Sequence, residues 1–242
     1  MKPIIADDYD VMSKQVAWDI IEIMTSIDSP LFCPASGYTT KGLYKQMVAL
    51  HQQGQLNTAN WLFVGLDEWM GMNENDEGSC RFHLDEQLFE PLQVNNERIC
   101  FFDGKAKDPI AECDRVEEFI QQQAGIDLLI LGLGLNGHVG MNEPGISTSL
   151  RSHVATLDPL TAQVGQKYFD KPQQLTEGLT LGIATMLAAK NIFLLVSGSR
   201  KAAIVKKVIE GEITAAVPAT LLRQHPGLKI YLDKDAAGML QE

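Results

Sequence analysis

Apolar residues along this chain fall into two alternating patterns: short unbroken runs, and runs interrupted at helical spacing. Pro3-Ile4-Ile5-Ala6 precedes a segment in which Val11, Met12, Val16, Ala17, Ile20, Ile21 and Met24 recur every three or four positions, the spacing of one helix face. Leu31-Phe32-Cys33 precedes a helical pattern through Leu43, Met47, Val48 and Leu50. Trp61 to Leu66 is an apolar run of strand length that stops abruptly at Asp67-Glu68. Further on, the pattern predicts a helix over Phe82 to Leu92, a strand at Ile99 to Phe102, and a helix from Ile110 to Gln123 with Gly125 suited to its C-terminal end. Asp127 to Gly132 reads as a buried strand and Leu179 to Ala189 as a helix. Asn191 to Val196 reads as a central strand, Lys201 to Glu210 as a helix stopped by Gly211, and Leu228 to Leu232 as a last strand.

Near-continuous apolar strands alternating with helices predict an α/β fold of three layers: a doubly wound, mostly parallel sheet with helices on both faces. The chain has 242 residues and no internal repeat, low-complexity stretch or linker, so 1–242 is expected to form a single domain. In such sheets, ligands bind beyond the carboxyl ends of strands at a topological switch point. Function is therefore sought in the loops that follow strands.

Composition narrows the classes. With 45% hydrophobic and 21% charged residues, the chain is too apolar to remain disordered. No apolar run approaches the roughly 20 residues of a membrane span, and the early acids Asp7 and Asp8 are unlike a signal peptide. A cytoplasmic location is expected, with no membrane partner. The formal net charge of -11 argues against nucleic acid, which requires a basic footprint. Small anions remain compatible, because backbone N–H groups and a few lysines hold a phosphate locally. Cys33, Cys80, Cys100 and Cys113 show no zinc or redox spacing and read as reduced thiols in or near the core.

Three loops carry unusual polar residues. After the strand ending at Leu131, Gly132, Gly134 and Gly137 permit tight turns and close approach, and His138 emerges between Asn136 and Glu143. An imidazole beside a carboxylate is suited to proton exchange near neutral pH. The glycines also fit a dinucleotide fingerprint, but Pro144 would break the helix that must open there. A Rossmann-like sheet without a dinucleotide is expected. The second loop is Leu66-Asp67-Glu68-Trp69, whose acids could abstract a proton next to a carbonyl or simply cap the next segment. The third, Pro34 to Thr40, could bind phosphate or serve as an ordinary N-cap. Ser197 to Lys201 sets a basic pair at a helix start, a conflict that a bound anion would relieve.

Together these segments resemble the glucosamine-6-phosphate deaminase family, within the superfamily that includes 6-phosphogluconolactonase. The resemblance runs from about Leu31 to the last strand and is most specific at Leu66-Asp67-Glu68-Trp69 and at Gly134 to Pro144. It implies an aldose–ketose isomerisation of a hexosamine 6-phosphate with loss of ammonia and with no metal or organic cofactor. By resemblance, His138 opens the sugar ring, Asp67 moves a proton from C2 to C1, and Glu143 and Asn136 support His138. Ser36, Gly37, Tyr38, Thr39, Glu68, Gly137, Lys167 and Lys201 are the implied substrate- and phosphate-binding residues. Glucosamine enzymes usually carry Asp where Asn136 stands. In this the chain more closely resembles the galactosamine-6-phosphate isomerase (deaminating) branch, so conversion of galactosamine 6-phosphate to tagatose 6-phosphate and ammonia is the expected reaction, with Glu143 left as the main charge partner of an imidazolium. Lys167 stands where those enzymes have Arg, and keeps the charge without the fork. His153 and Ala155 stand where allosteric members place a basic pair, so activation by N-acetylglucosamine 6-phosphate is not expected. Tyr38, Trp69 and Arg81 are the candidates for reading the sugar's C4 hydroxyl. A glucosamine enzyme, a lactonase and a non-catalytic sugar-phosphate sensor are the alternatives. The sensor is disfavoured by the lack of room for a DNA-binding segment before the first strand.

Overall fold

A computed structural model describes residues 2–241. The strands are β1 (Ile4–Ala6), β2 (Leu31–Cys33), β3 (Leu62–Val64), β4 (Asp67–Trp69), β5 (Ile99–Cys100), β6 (Leu128–Gly132), β7 (His153–Thr156), β8 (Glu177–Thr180), β9 (Ile192–Val196) and β10 (Leu228–Asp233). The helices are α1 (Tyr9–Met24), α2 (Lys41–Gln52), α3 (Cys80–Leu84), α4 (Pro109–Gln122), α5 (Pro159–Gly165), α6 (Ile183–Leu187), α7 (Ala202–Glu210) and α8 (Lys234–Ala237). Seven strands form one parallel sheet in the order β1-β10-β9-β6-β2-β3-β5, with helices on both faces.

That order contains the switch point. From β2 the chain builds outward through β3 to β5, then returns to lay β6 on the other side of β2 and continues through β9 to β10. The loops after β2 and β6 therefore leave neighbouring strands in opposite directions and open a crevice between them. Leu128 to Leu131 of β6 and Ile192 to Val196 of β9 are buried. α1 is held by its Asp8 cap, which accepts from the Val11 N–H at 2.8 Å, and buries Met12, Val16, Ala17, Ile20 and Met24.

Several elements differ from the sequence expectation. The strand expected over the run from Trp61 is β3, which already ends at Val64. Gly65, where a Cβ would lie 2.7 Å from the Phe101 ring, carries the chain out of the parallel sheet, and Asp67–Trp69 become β4. This strand joins a second, antiparallel sheet in the order β4-β8-β7. The expected helix from Leu179 begins instead as β8 and becomes α6 only at Ile183. Gly182 lies against the Leu150 and Arg151 carbonyls too closely for any Cβ. The expected helix over Phe82 to Leu92 is α3 followed by a wider π-turn over Asp85–Phe89. No helix among the described residues is long and apolar enough to cross a membrane.

Candidate active site

The crevice is a cleft of about 1000 Å³ including its open mouth. The Ala35–Thr40 loop after β2, Asp67 at the head of β4, the Gly132–His138 loop after β6, and Lys167 and Lys201 all line it. The sheet topology thus brings together side chains that lie far apart in sequence.

His138 has the most constrained geometry. Its ring lies directly over Gly134, where a Cβ would come within 2.3 Å of the ring. Its Nδ1 is 2.8 Å from Asn136 Oδ1, 3.1 Å from Thr161 Oγ1 and 3.5 Å from Glu143 Oε2. Asn136 Nδ2 donates to Glu143 Oε2 at 2.7 Å. A carboxylate only accepts, so Glu143 fixes which end of the Asn136 amide faces it, and Oδ1 must face the imidazole. Neutral His138 then carries its proton on Nδ1, leaving the Nε2 lone pair for a ligand. Burial pushes the Glu143 carboxyl up. Hydrogen bonds to His138, Thr161 and Asn136, with the His138 charge, outweigh this and hold it below the usual range.

Asp67 is buried in the same cleft. Desolvation raises its carboxyl to about 6, against the lowering effects of the Cys80 thiol and His138. A carboxylate so placed is a competent base near neutral pH. Cys80 also lines the cleft, and its thiol is held well above its ordinary value first by burial, then by Asp67 and Glu68.

At the other end, Gly37 adopts φ +137, a conformation that glycine reaches without strain. Lys167 and Lys201 have no carboxylate within ion-pair distance among the described residues. Burial and then Lys167 lower Lys201 to about 8, and burial and then Lys41 lower Lys167. Unpaired, partly desolvated cations of this kind are suited to a phosphate.

Not every expected residue faces the cleft. Glu68 is fully buried and accepts the N–H groups of Trp69 at 2.8 Å, Cys80 at 2.9 Å and Arg81 at 3.0 Å. It ties β4 to the start of α3 and does not line the cleft. Gly137 also lies behind the lining, at φ +90, with its carbonyl taken by the Ala219 N–H. Arg81, offered as a reader of the sugar, turns away to Asp85 at 2.8 Å and Asn96 at 2.7 Å, whereas Tyr38 and Trp69 do line the cleft.

A family model described as glucosamine-6-phosphate isomerases/6-phosphogluconolactonase matches residues 33–230. The chain belongs to this family. A glucosamine-6-phosphate deaminase of Oceanobacillus iheyensis is 35% identical over 98% of this chain and 95% of its own length. Another, from Geobacillus sp. (strain WCH70), is 37% identical over 100% of this chain and 97% of its own. A solved structure described as a monomeric glucosamine-6-phosphate deaminase superposes with a TM-score of 0.96 at 34% identity, covering 99% of this chain and 100% of that one. The 6-phosphogluconolactonase of Trypanosoma brucei, at 22% identity and a TM-score of 0.77, shares the fold. These relatives carry the glucosamine name, so they favour that alternative over the galactosamine branch expected from Asn136.

Within this family member, sequence reasoning missed Thr161 and Lys41. Thr161 touches His138 from α5, 23 residues away in sequence. Lys41 sits 4.3 Å from the centre of the Tyr38 ring. Neither stands in a recognisable local pattern. The segment expected to lack an activator site is built around Glu117, which accepts from Arg151, from the Ser152 N–H and hydroxyl, and from Thr185.

Proposed function

We propose that this chain isomerises and deaminates glucosamine 6-phosphate, giving fructose 6-phosphate and ammonia. The observation that carries this reading is the Glu143–Asn136–His138 chain, which frees the imidazole Nε2, in one cleft with a buried Asp67 whose carboxyl is raised to about 6.

In this mechanism His138 Nε2 takes the O1 proton of the cyclic sugar and returns a proton to the ring oxygen, so the C1–O5 bond breaks and an aldehyde forms. The Asp67 carboxylate then removes the C2 proton. Electrons shift toward the carbonyl to give an enolamine, and the proton is delivered to C1. The product is an imine at C2. Water adds there, the C–N bond breaks, and ammonia leaves a ketone. The protein's own groups move only protons in these steps, while C1–O5 and C2–N break within the substrate and water supplies the ketone oxygen, which agrees with a site built from one imidazole and carboxylates. Glu143 stabilises His138 while it is charged, acting through Asn136. The Ser36–Thr39 loop with Lys167 and Lys201 anchors the 6-phosphate, so remote binding energy orients C1 and C2.

Steady-state ammonia release tests the substrate directly, with glucosamine 6-phosphate, galactosamine 6-phosphate and a 6-phosphogluconolactone compared side by side. The expected order has the gluco sugar foremost in kcat/KM and the lactone unreacted, with N-acetylglucosamine 6-phosphate leaving the rates unchanged. Preference for the galacto sugar would reverse the C4 assignment, and lactone hydrolysis without ammonia release would replace the reaction class.

A further inference from the structure

The Ala35–Thr39 loop has an unusual division of its backbone groups. Four of its five carbonyls, all but that of Ser36, are tied back by hydroxyl groups lying behind it. Tyr44 donates to the Ala35 carbonyl at 2.6 Å, and Thr40 to those of Ala35 at 3.0 Å and Gly37 at 3.1 Å. The Tyr9 hydroxyl reaches the carbonyls of Thr39 at 3.0 Å and Tyr38 at 3.1 Å. No N–H from Ser36 to Thr40 donates to an acceptor among the described residues. With the acceptors held behind the loop, the unsatisfied donors are left for the cleft that it lines, a polarity that selects an anion.

Tyr9 differs from the other two hydroxyls in origin. Thr40 and Tyr44 belong to the same loop-and-helix unit, whereas Tyr9 opens α1, some 30 residues away. Its oxygen also accepts the Gly42 N–H at 2.6 Å, so one hydroxyl bridges the loop and the first turn of α2. The helix makes room for it. A Cβ at Gly42 would stand 2.8 Å from the Tyr9 ring, and glycine inside a helix costs stability without such a packing reason. Tyr9 also lies outside residues 33–230, the part that the family model matches.

We infer that Tyr9 is a positioning residue for phosphate: from the N-terminal helix, its hydroxyl holds the Tyr38–Thr39 carbonyls back and keeps the loop amides turned to the 6-phosphate. The inference rests on the proposed reaction for its substrate, but the anion cradle is testable without turnover.

Tyr9→Phe removes only the hydroxyl. KM for glucosamine 6-phosphate and the inhibition constant of inorganic phosphate are expected to rise together by about three- to tenfold, the value of one hydrogen bond. The turnover number should stay within about twofold, because the groups at C1 and C2 are untouched. Gly42→Ala, which displaces the same ring, should give the same signature. Tyr231→Phe, which loses a hydroxyl bonded to Asp19 away from the cleft, should leave both constants unchanged. An unchanged phosphate constant in Tyr9→Phe overturns the inference, as does a fall in kcat and melting temperature without loss of phosphate affinity. Should the wild-type protein release no ammonia from either hexosamine phosphate, the reaction assignment fails. Calorimetric titration of wild type and Tyr9→Phe with inorganic phosphate then decides the cradle separately. Weaker binding by the variant upholds the inference. Equal binding, or none by wild type, overturns it.

Discussion

At Asn136 a single amide joins a carboxylate to an imidazole, and the carboxylate's inability to donate sets the direction of both hydrogen bonds. Glu143→Gln removes that constraint along with the charge, since a glutamine faces Asn136 with either end of its amide. It should lower kcat by about a hundredfold with little change in KM, checked by steady-state kinetics. The trio was legible in the sequence because all of it lies within one eight-residue loop. Thr161 was not, because only the fold brings α5 to His138. Residue chemistry alone also left Asp67 and Glu68 equivalent. The structure separates them: Asp67 faces the cleft, whereas Glu68 is consumed by backbone amides. Asp67 further carries a cost that function accepts. Its carboxyl titrates at about 6 when folded, above its ordinary 3.8. Its contribution to stability is thus fully present below the unfolded value and is lost as pH rises through 6. At pH 8 the desolvated charge disfavours folding by on the order of 3 kcal/mol. Asp67→Asn should accordingly raise the melting temperature at pH 8 by several degrees, and the gain should vanish near pH 4. Thermal melts at the two pH values check this.

The long parallel strands β6 and β9 were readable at the scale of elements because buried strands are unbroken apolar runs. The small antiparallel sheet was not. β4 is Asp-Glu-Trp, and no alternation over three residues announces a strand. In β8 and α6, Leu179, Ile183 and Met186 fit a helical period, although only the latter part is helical. The close approaches of Gly178 to Met141 and of Gly182 to neighbouring carbonyls enforce the extended path, and such contacts are invisible in one sequence. Gly134 is where an element and the chemistry meet. The turn after β6 brings the His138 ring down onto it, so Gly134→Ala must move the ring. The expected loss is about a hundredfold in kcat/KM, with binding of inorganic phosphate preserved. Kinetics and a phosphate titration on one preparation check both parts.

Net charge described the whole molecule correctly as acidic but concealed its local exception. Lys167 and Lys201 stand at one end of the cleft, where burial lowers the proton affinity of both, with Lys41 adding to the effect on Lys167 and Lys167 to that on Lys201. The combination predicts a bell-shaped pH dependence of kcat/KM. Activity should fall below about 6 as Asp67 takes up a proton, and above about 8 as Lys201 loses one. A pH series shows the two limbs, and Lys201→Arg should move only the alkaline limb upward. The galactosamine branch, by contrast, was expected from one position, Asn136, and the relatives, which match along nearly the whole chain, favour its glucosamine alternative. The most direct measurement is ammonia release from glucosamine 6-phosphate in deuterated water, by wild type and by Asp67→Asn. Wild type should release one ammonia per sugar, with solvent deuterium at C1 only in the fraction where the proton held by Asp67 exchanges before transfer, and Asp67→Asn should be slower by about 10³-fold. Ammonia release at an undiminished rate by Asp67→Asn would contradict the assignment of Asp67 as the base.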